Sequence, residues 1–157
     1  MDSTDQEDAL VENCYVCRRN LAHDRRPWEQ VYIDDHWRLT LAFDTSLPGW
    51  LVLVPGRHVE GLHHLDHDEA ESLGRLLQRA SAALVEVTGC QRTYVMLFAE
   101  MEGFSHLHVH IVPRHADLPV EHRGAAVFAF LGVPEAQQMP EEDRNILAAR
   151  LREALFP

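Results

Sequence analysis

Ser105-His106-Leu107-His108-Val109-His110-Ile111-Val112-Pro113-Arg114 sets a histidine at every second position, with aliphatic residues between. Residues two apart on a β-strand share a face. The pattern therefore predicts a strand over 106–112, with His106, His108 and His110 on one side and Leu107, Val109 and Ile111 in a core. Neighbouring imidazoles on a flat strand stand about 6.6 Å apart. That is too far for all three to hold one ion, and it suits three stations along a substrate groove. The plainer alternative is a polar strand face that merely uses histidine; strict alternation with aliphatic residues speaks against it.

Working outward, residues 30–33 and 37–43 read as strands divided by Asp34-Asp35-His36. The second alternates, with Trp37, Leu39, Leu41 and Phe43 on one face. The apolar run 50–54 is stopped by Pro55-Gly56 and fits a strand covered on both faces. Residues 93–98 give another strand. A helix is predicted over 68–88, capped by Asp66 with Glu69 three residues on, and ended by Gly89. Its apolar stripe is Ala70, Leu73, Leu76, Leu77, Ala80, Leu84 and Val87. A last helix follows Pro140, with Ile146, Leu147, Leu151 and Leu155 on one side. The stretch 125–131 is a core strand or a dimer-facing segment. Strands around one central helix imply α+β with a mainly antiparallel sheet.

The chain has 157 residues and a formal charge of −11. Its length suits one domain, here 13–157, behind an acidic tail over 1–12 expected to be disordered. So acidic a surface repels phosphate backbones, so neither nucleic acid nor an anionic membrane is an expected partner. No run of about 18 apolar residues is present. All fourteen basic residues are arginine, which removes Schiff-base and P-loop lysine chemistry. The cysteines are Cys14, Cys17 and Cys90, too few and too unevenly spaced for a disulfide framework. With no secretory signal pattern at the start, a cytoplasmic location is expected. Cys14-x-x-Cys17 is half a zinc site; a redox dithiol or two buried thiols are the alternatives, and zinc is favoured. His58 or a member of the triad would complete it.

The stretch 106–114, H-φ-H-φ-H-φ-φ-P-R with φ apolar, resembles the signature of the histidine-triad (HIT) superfamily of nucleotide hydrolases and transferases. Cys14-x-x-Cys17, the strand 37–43 and the segment 48–58, ending Pro55-Gly56-Arg57-His58, fall in that family's order. The resemblance implies an antiparallel half-barrel with a central and a C-terminal helix, paired as a homodimer. It implies a closed structural zinc site of Cys14, Cys17, His58 and His106. It makes His108 the nucleophile towards the α-phosphorus of a nucleotide, with a covalent nucleotidyl-histidine intermediate. His110 would donate to a non-bridging phosphate oxygen.

Ser105 and Arg114 are candidate substrate contacts. Ser105 is equally a strand-end residue bonded to backbone, and Arg114, like Arg57, is more often simply a solvated arginine. The chain departs from the family at Trp50, where a histidine is usual, and in the acidic approach 99–104, which replaces a Gly-Gln loop. The expected reaction is release of a nucleoside 5′-monophosphate from an amine or polyphosphate. The alternatives are a zinc-stabilised nucleotide-binding or protein-interaction dimer with little turnover, and a metal enzyme using His108 and His110 as ligands. The predicted helix over 68–88 and Cys14-x-x-Cys17 speak against the metal enzyme.

Overall fold

The structure, a computed structural model, describes residues 13–156. The acidic tail expected over 1–12 lies outside them. Five strands form one sheet: β1 (Tyr32–Ile33), β2 (Trp37–Leu41), β3 (Leu51–Pro55), β4 (Arg92–Met96) and β5 (Val109–Arg114). Their order is β1-β2-β3-β5-β4, and every pairing is antiparallel. Three α-helices accompany it among the described residues: α1 (Tyr15–Leu21), α2 (His67–Thr88) and α3 (Glu141–Leu155). The α+β antiparallel architecture expected from the sequence is the one found.

The two faces of the sheet are covered differently. Leu39, Leu41, Leu51, Leu53, Val109 and Ile111 pack on one side with Leu76, Ala80 and Leu84 of α2 and Leu151 and Leu155 of α3. On the other side Trp50 and Val112 meet Val127 and Leu118, and Val54 meets Cys14, Val16 and Cys17. This helix-poor face carries the chemistry.

Helix α2 starts as its sequence dictates. Asp66 accepts from the Glu69 N–H, and the Glu69 carboxylate accepts from the Asp66 N–H, a complete capping box. Gly89 ends the helix at φ 70°, where a side chain would be strained. The Glu69 carboxylate also takes both arms of Arg57, at 2.8 and 2.6 Å, and this pairing holds its pKa below the usual carboxylate range. The turn that carries His58 is thereby tied to the start of α2. Leu84 is fully buried at the sheet–helix junction. Leu84→Ala should cost about 2–5 kcal/mol, read as a lower midpoint in urea unfolding; an unchanged midpoint would mean that this junction collapses to fill the gap.

Several expectations need correction. Residues 15–21 are helical, an element the sequence reading does not include: the Cys14 sulfur caps the first turn by accepting from the Cys17 N–H. β2 ends at Leu41, so Phe43 leaves the core face and is 38% exposed. Ala70 is exposed, and so is Ile146 at 55%, while Ala148 takes the buried place on α3. Residues 124–130 form a 3-10 helix, not a strand, and Val127 plugs the second core. β5 begins at Val109, three residues later than the alternation predicts. In the β3–β5 register Pro55 would stand opposite Leu107, and proline has no N–H to continue a ladder.

Candidate active site and metal cluster

The late start of β5 splits the triad. His106 is fully buried and turns its ring to Cys14, Cys17 and His58. The four potential ligand atoms lie within 4.8 Å of one another. His106 Nδ1 is 3.6 Å from Cys14 Sγ and 3.4 Å from Cys17 Sγ, and His58 Nδ1 is 3.3 Å from Cys17 Sγ. Tetrahedral zinc, with bonds of about 2.0 Å to nitrogen and 2.3 Å to sulfur, needs ligand–ligand edges of roughly 3.3–3.8 Å. The donor set and its spacing fit that ion.

The surroundings prepare His106 for such a role. Its Nε2–H donates to the Pro55 carbonyl at 3.0 Å, which leaves the Nδ1 lone pair for a metal. Burial pushes its pKa down to about 4, so the ring stays neutral. Burial, reinforced by Cys14, pushes the Cys17 thiol up to about 12, a setting in which a bound cation is what stabilises a thiolate. The Pro55 carbonyl also accepts from Asn20 Nδ2 at 2.9 Å, joining α1 to the same point.

His108 and His110 face a different space. Both line a cavity of about 570 Å³ on the helix-poor face. Their rings meet edge to face, with centroids 5.0 Å apart. His108 Nδ1 lies 2.8 Å from the His106 carbonyl oxygen. A carbonyl only accepts, so Nδ1 carries the hydrogen and Nε2 keeps its lone pair. For His110 the assignment is reversed. Trp50 Nε1–H, a donor only, lies 3.0 Å from His110 Nδ1, so Nδ1 accepts and Nε2 carries the hydrogen. Burial, with His108 nearby, pushes the His110 pKa down to about 4. With both rings neutral, the pair is one nitrogen lone pair beside one N–H donor.

The cavity walls explain what the sequence reading missed. Phe43, Phe98 and Phe128 line it, and Asp44 adds a carboxylate. Phe128 packs edge-on against both His110 and Trp50. Phe43 was expected in the core, and nothing in the spacing of 125–131 marks Phe128 as a site residue. A polar corner is built by Arg38, whose Nε donates to Asn20 Oδ1 at 2.7 Å and whose Nη1 donates to the Glu29 carbonyl. Burial lowers the Arg38 pKa to about 10, so it stays cationic near neutrality. Beside it Glu29 is clamped by Arg19 at 2.7 Å. Ser105 is half-buried at the foot of the triad, and Arg114 is bonded to Gln91 at the far end of β5. Neither lines the cavity, and Arg57 is taken by Glu69.

These features define a fold that pairs a cysteine–histidine cluster with two histidines at a cavity. A HIT domain family model matches residues 25–117, more than half of the chain, and the protein belongs to that family. Solved structures agree in fold. A zinc-bound histidine triad family protein from Mycobacterium smegmatis is 19% identical with a TM-score of 0.69, covering 92% of this chain and 94% of its own. A histidine triad protein from Sinorhizobium meliloti is 25% identical with a TM-score of 0.66, over 79% and 87%. A hypothetical histidine triad nucleotide-binding protein from Sulfolobus tokodaii is 21% identical with a TM-score of 0.62, over 92% and 91%. Among curated proteins no sequence matches the chain. No helix of the described residues is long and apolar enough to cross a membrane.

Proposed function

We propose that the protein releases a nucleoside 5′-monophosphate, of the AMP type, from a leaving group such as an amine or a polyphosphate. Membership of the HIT family supports nucleotide binding and hydrolase or transferase chemistry in general. The observation that carries the finer reading is the tautomer of His108. Its Nδ1–H is held by the His106 carbonyl, and Nε2 is left as a free nucleophile at a cavity of ligand size. Nε2 attacks the α-phosphorus, a phosphorus–nitrogen bond forms, and the bond to the leaving group breaks with its electron pair; a phosphate chain leaves as the anion, and an amine takes a proton from solvent water as it leaves. Water then cleaves the phosphorus–nitrogen bond, releases the monophosphate and returns His108 to its neutral form. His110 donates from Nε2 to a phosphate oxygen as charge builds there. Asp44 offers an acceptor for sugar hydroxyls.

Zinc in the Cys14, Cys17, His58 and His106 set belongs to the same reading. Its chemistry would be structural, since four protein ligands leave no open position for water. A cytoplasmic homodimer completes the proposal; the sheet ends in β4, where Val95 is exposed, and light scattering would size the assembly.

The test is release of AMP from an adenosine phosphoramidate, an aryl ester of AMP and a diadenosine polyphosphate, with acid quenching in the first turnover. Release, together with a quench-trapped nucleotidyl-protein of acid-labile linkage, is expected. Binding of AMP without release from any of the three would instead favour a nucleotide-binding module.

A further inference from the structure

Trp50 is buried against His110, with ring centroids 5.7 Å apart at 88° and a hydrogen bond of 3.0 Å from indole Nε1 to imidazole Nδ1. An indole N–H can only donate. A second proton on His110 would have to sit on Nδ1, where two N–H groups would face each other at that distance. The remaining ring neighbours, His108 and Phe128, offer no carboxylate to stabilise an imidazolium. His110 therefore gives a hydrogen bond from Nε2, and it has no proton to hand over. A histidine at position 50 could either donate or accept, and would leave both tautomers of His110 open.

We infer that Trp50 is a positioning residue that fixes His110 as a one-way hydrogen-bond donor, and that the protein consequently prefers substrates whose leaving group departs as a weakly basic anion, a phosphate chain or a phenolate, over those that release an alkylamine. This rests on the reading proposed above. When such a group departs, the phosphorus–oxygen bond breaks, the electron pair leaves with oxygen, and no proton is required. An alkylamine must be protonated as it leaves, and neither histidine supplies that proton: His108 uses Nε2 to attack and ties its Nδ1–H to a carbonyl. The low pKa of His110, caused by burial, points the same way.

The experiment uses the full chain with its metal, labelled with 15N-histidine, and reads the tautomer of His110 by NMR at neutral pH. The wild type should show a single species with Nδ1 unprotonated and Nε2 protonated. Trp50→Phe keeps an aromatic ring but no donor and should give a mixture. Trp50→His should also give a mixture, and serves if the phenylalanine variant does not fold. In parallel, kcat/KM is compared for the p-nitrophenyl ester of AMP, a diadenosine polyphosphate and an alkylamine phosphoramidate of AMP. The wild type should favour the first two over the third by at least about tenfold, and Trp50→His should narrow that ratio. An Nδ1-protonated His110, or faster turnover of the alkylamine substrate, would overturn the inference while leaving monophosphate release intact. If the tautomer is as stated but no substrate turns over, the proposed reaction fails, and the leaving-group preference with it.

Discussion

His108→Ala should abolish monophosphate release, with a fall of at least about a thousandfold in kcat and loss of the trapped nucleotidyl-protein. The reason is geometric. Among the described residues lining the cavity, His108 is the side chain whose neutral nitrogen lone pair is left without a partner by a neighbouring carbonyl; the corresponding nitrogen of His110 is occupied by Trp50. The variant should keep its fold and any zinc in the cluster, because His108 is only half-buried and takes no part in the cysteine–histidine set. Metal analysis and a thermal melt beside the assay separate lost chemistry from lost structure. Release persisting within tenfold of wild type would place the nucleophile elsewhere.

Loss of zinc from the proposed Cys14, Cys17, His58 and His106 site should have the second largest effect, and on stability before turnover. Structural zinc in small peptides is bound with about 10–16 kcal/mol, comparable with the whole stability of a domain, about 5–15 kcal/mol. Cys14 and Cys17 pin the first turn of α1 against β3, and His106 links that turn to the triad. The protein as isolated should contain about one zinc per chain. Treatment with a strong chelator, or Cys17→Ser, should lower Tm by at least about 10 °C, the shift that a loss of about 4 kcal/mol produces in a domain of this size. Zinc surviving Cys17→Ser, or a melt unmoved by its removal, would argue against the four-ligand reading.

The sequence carried the elements whose signal is local. Asp66, Glu69 and Gly89 mark the ends of α2 because capping is read within a few residues. The alternation in 106–112 placed Leu107, Val109 and Ile111 inside, as observed. It did not show that Pro55, fifty residues away, halts the ladder before His108, because register is a pairing property and not a property of one strand. The spacing of Cys14 and Cys17 marks half of the cluster, while the full set with His58 and His106 comes from the family resemblance. Phe43 and Phe128 escaped notice for a related reason. In sequence Phe43 reads as a core-face residue and Phe128 as part of a core strand or a dimer-facing segment, and only where the strand ends and how the 3-10 turn folds make them cavity walls. Trp50 was noticed as a departure from the family, but its hydrogen-bond partner needed three dimensions.

His106 serves two masters with different parts of itself. Its ring binds into the cluster and to Pro55, while its carbonyl holds the Nδ1–H of His108. Cohesion and reactivity thus pass through a single residue, and an engineer cannot adjust one without disturbing the other. On the proposed reading, a version redesigned to do without zinc would need a new brace for that peptide group to keep the ring of His108 aimed at the cavity.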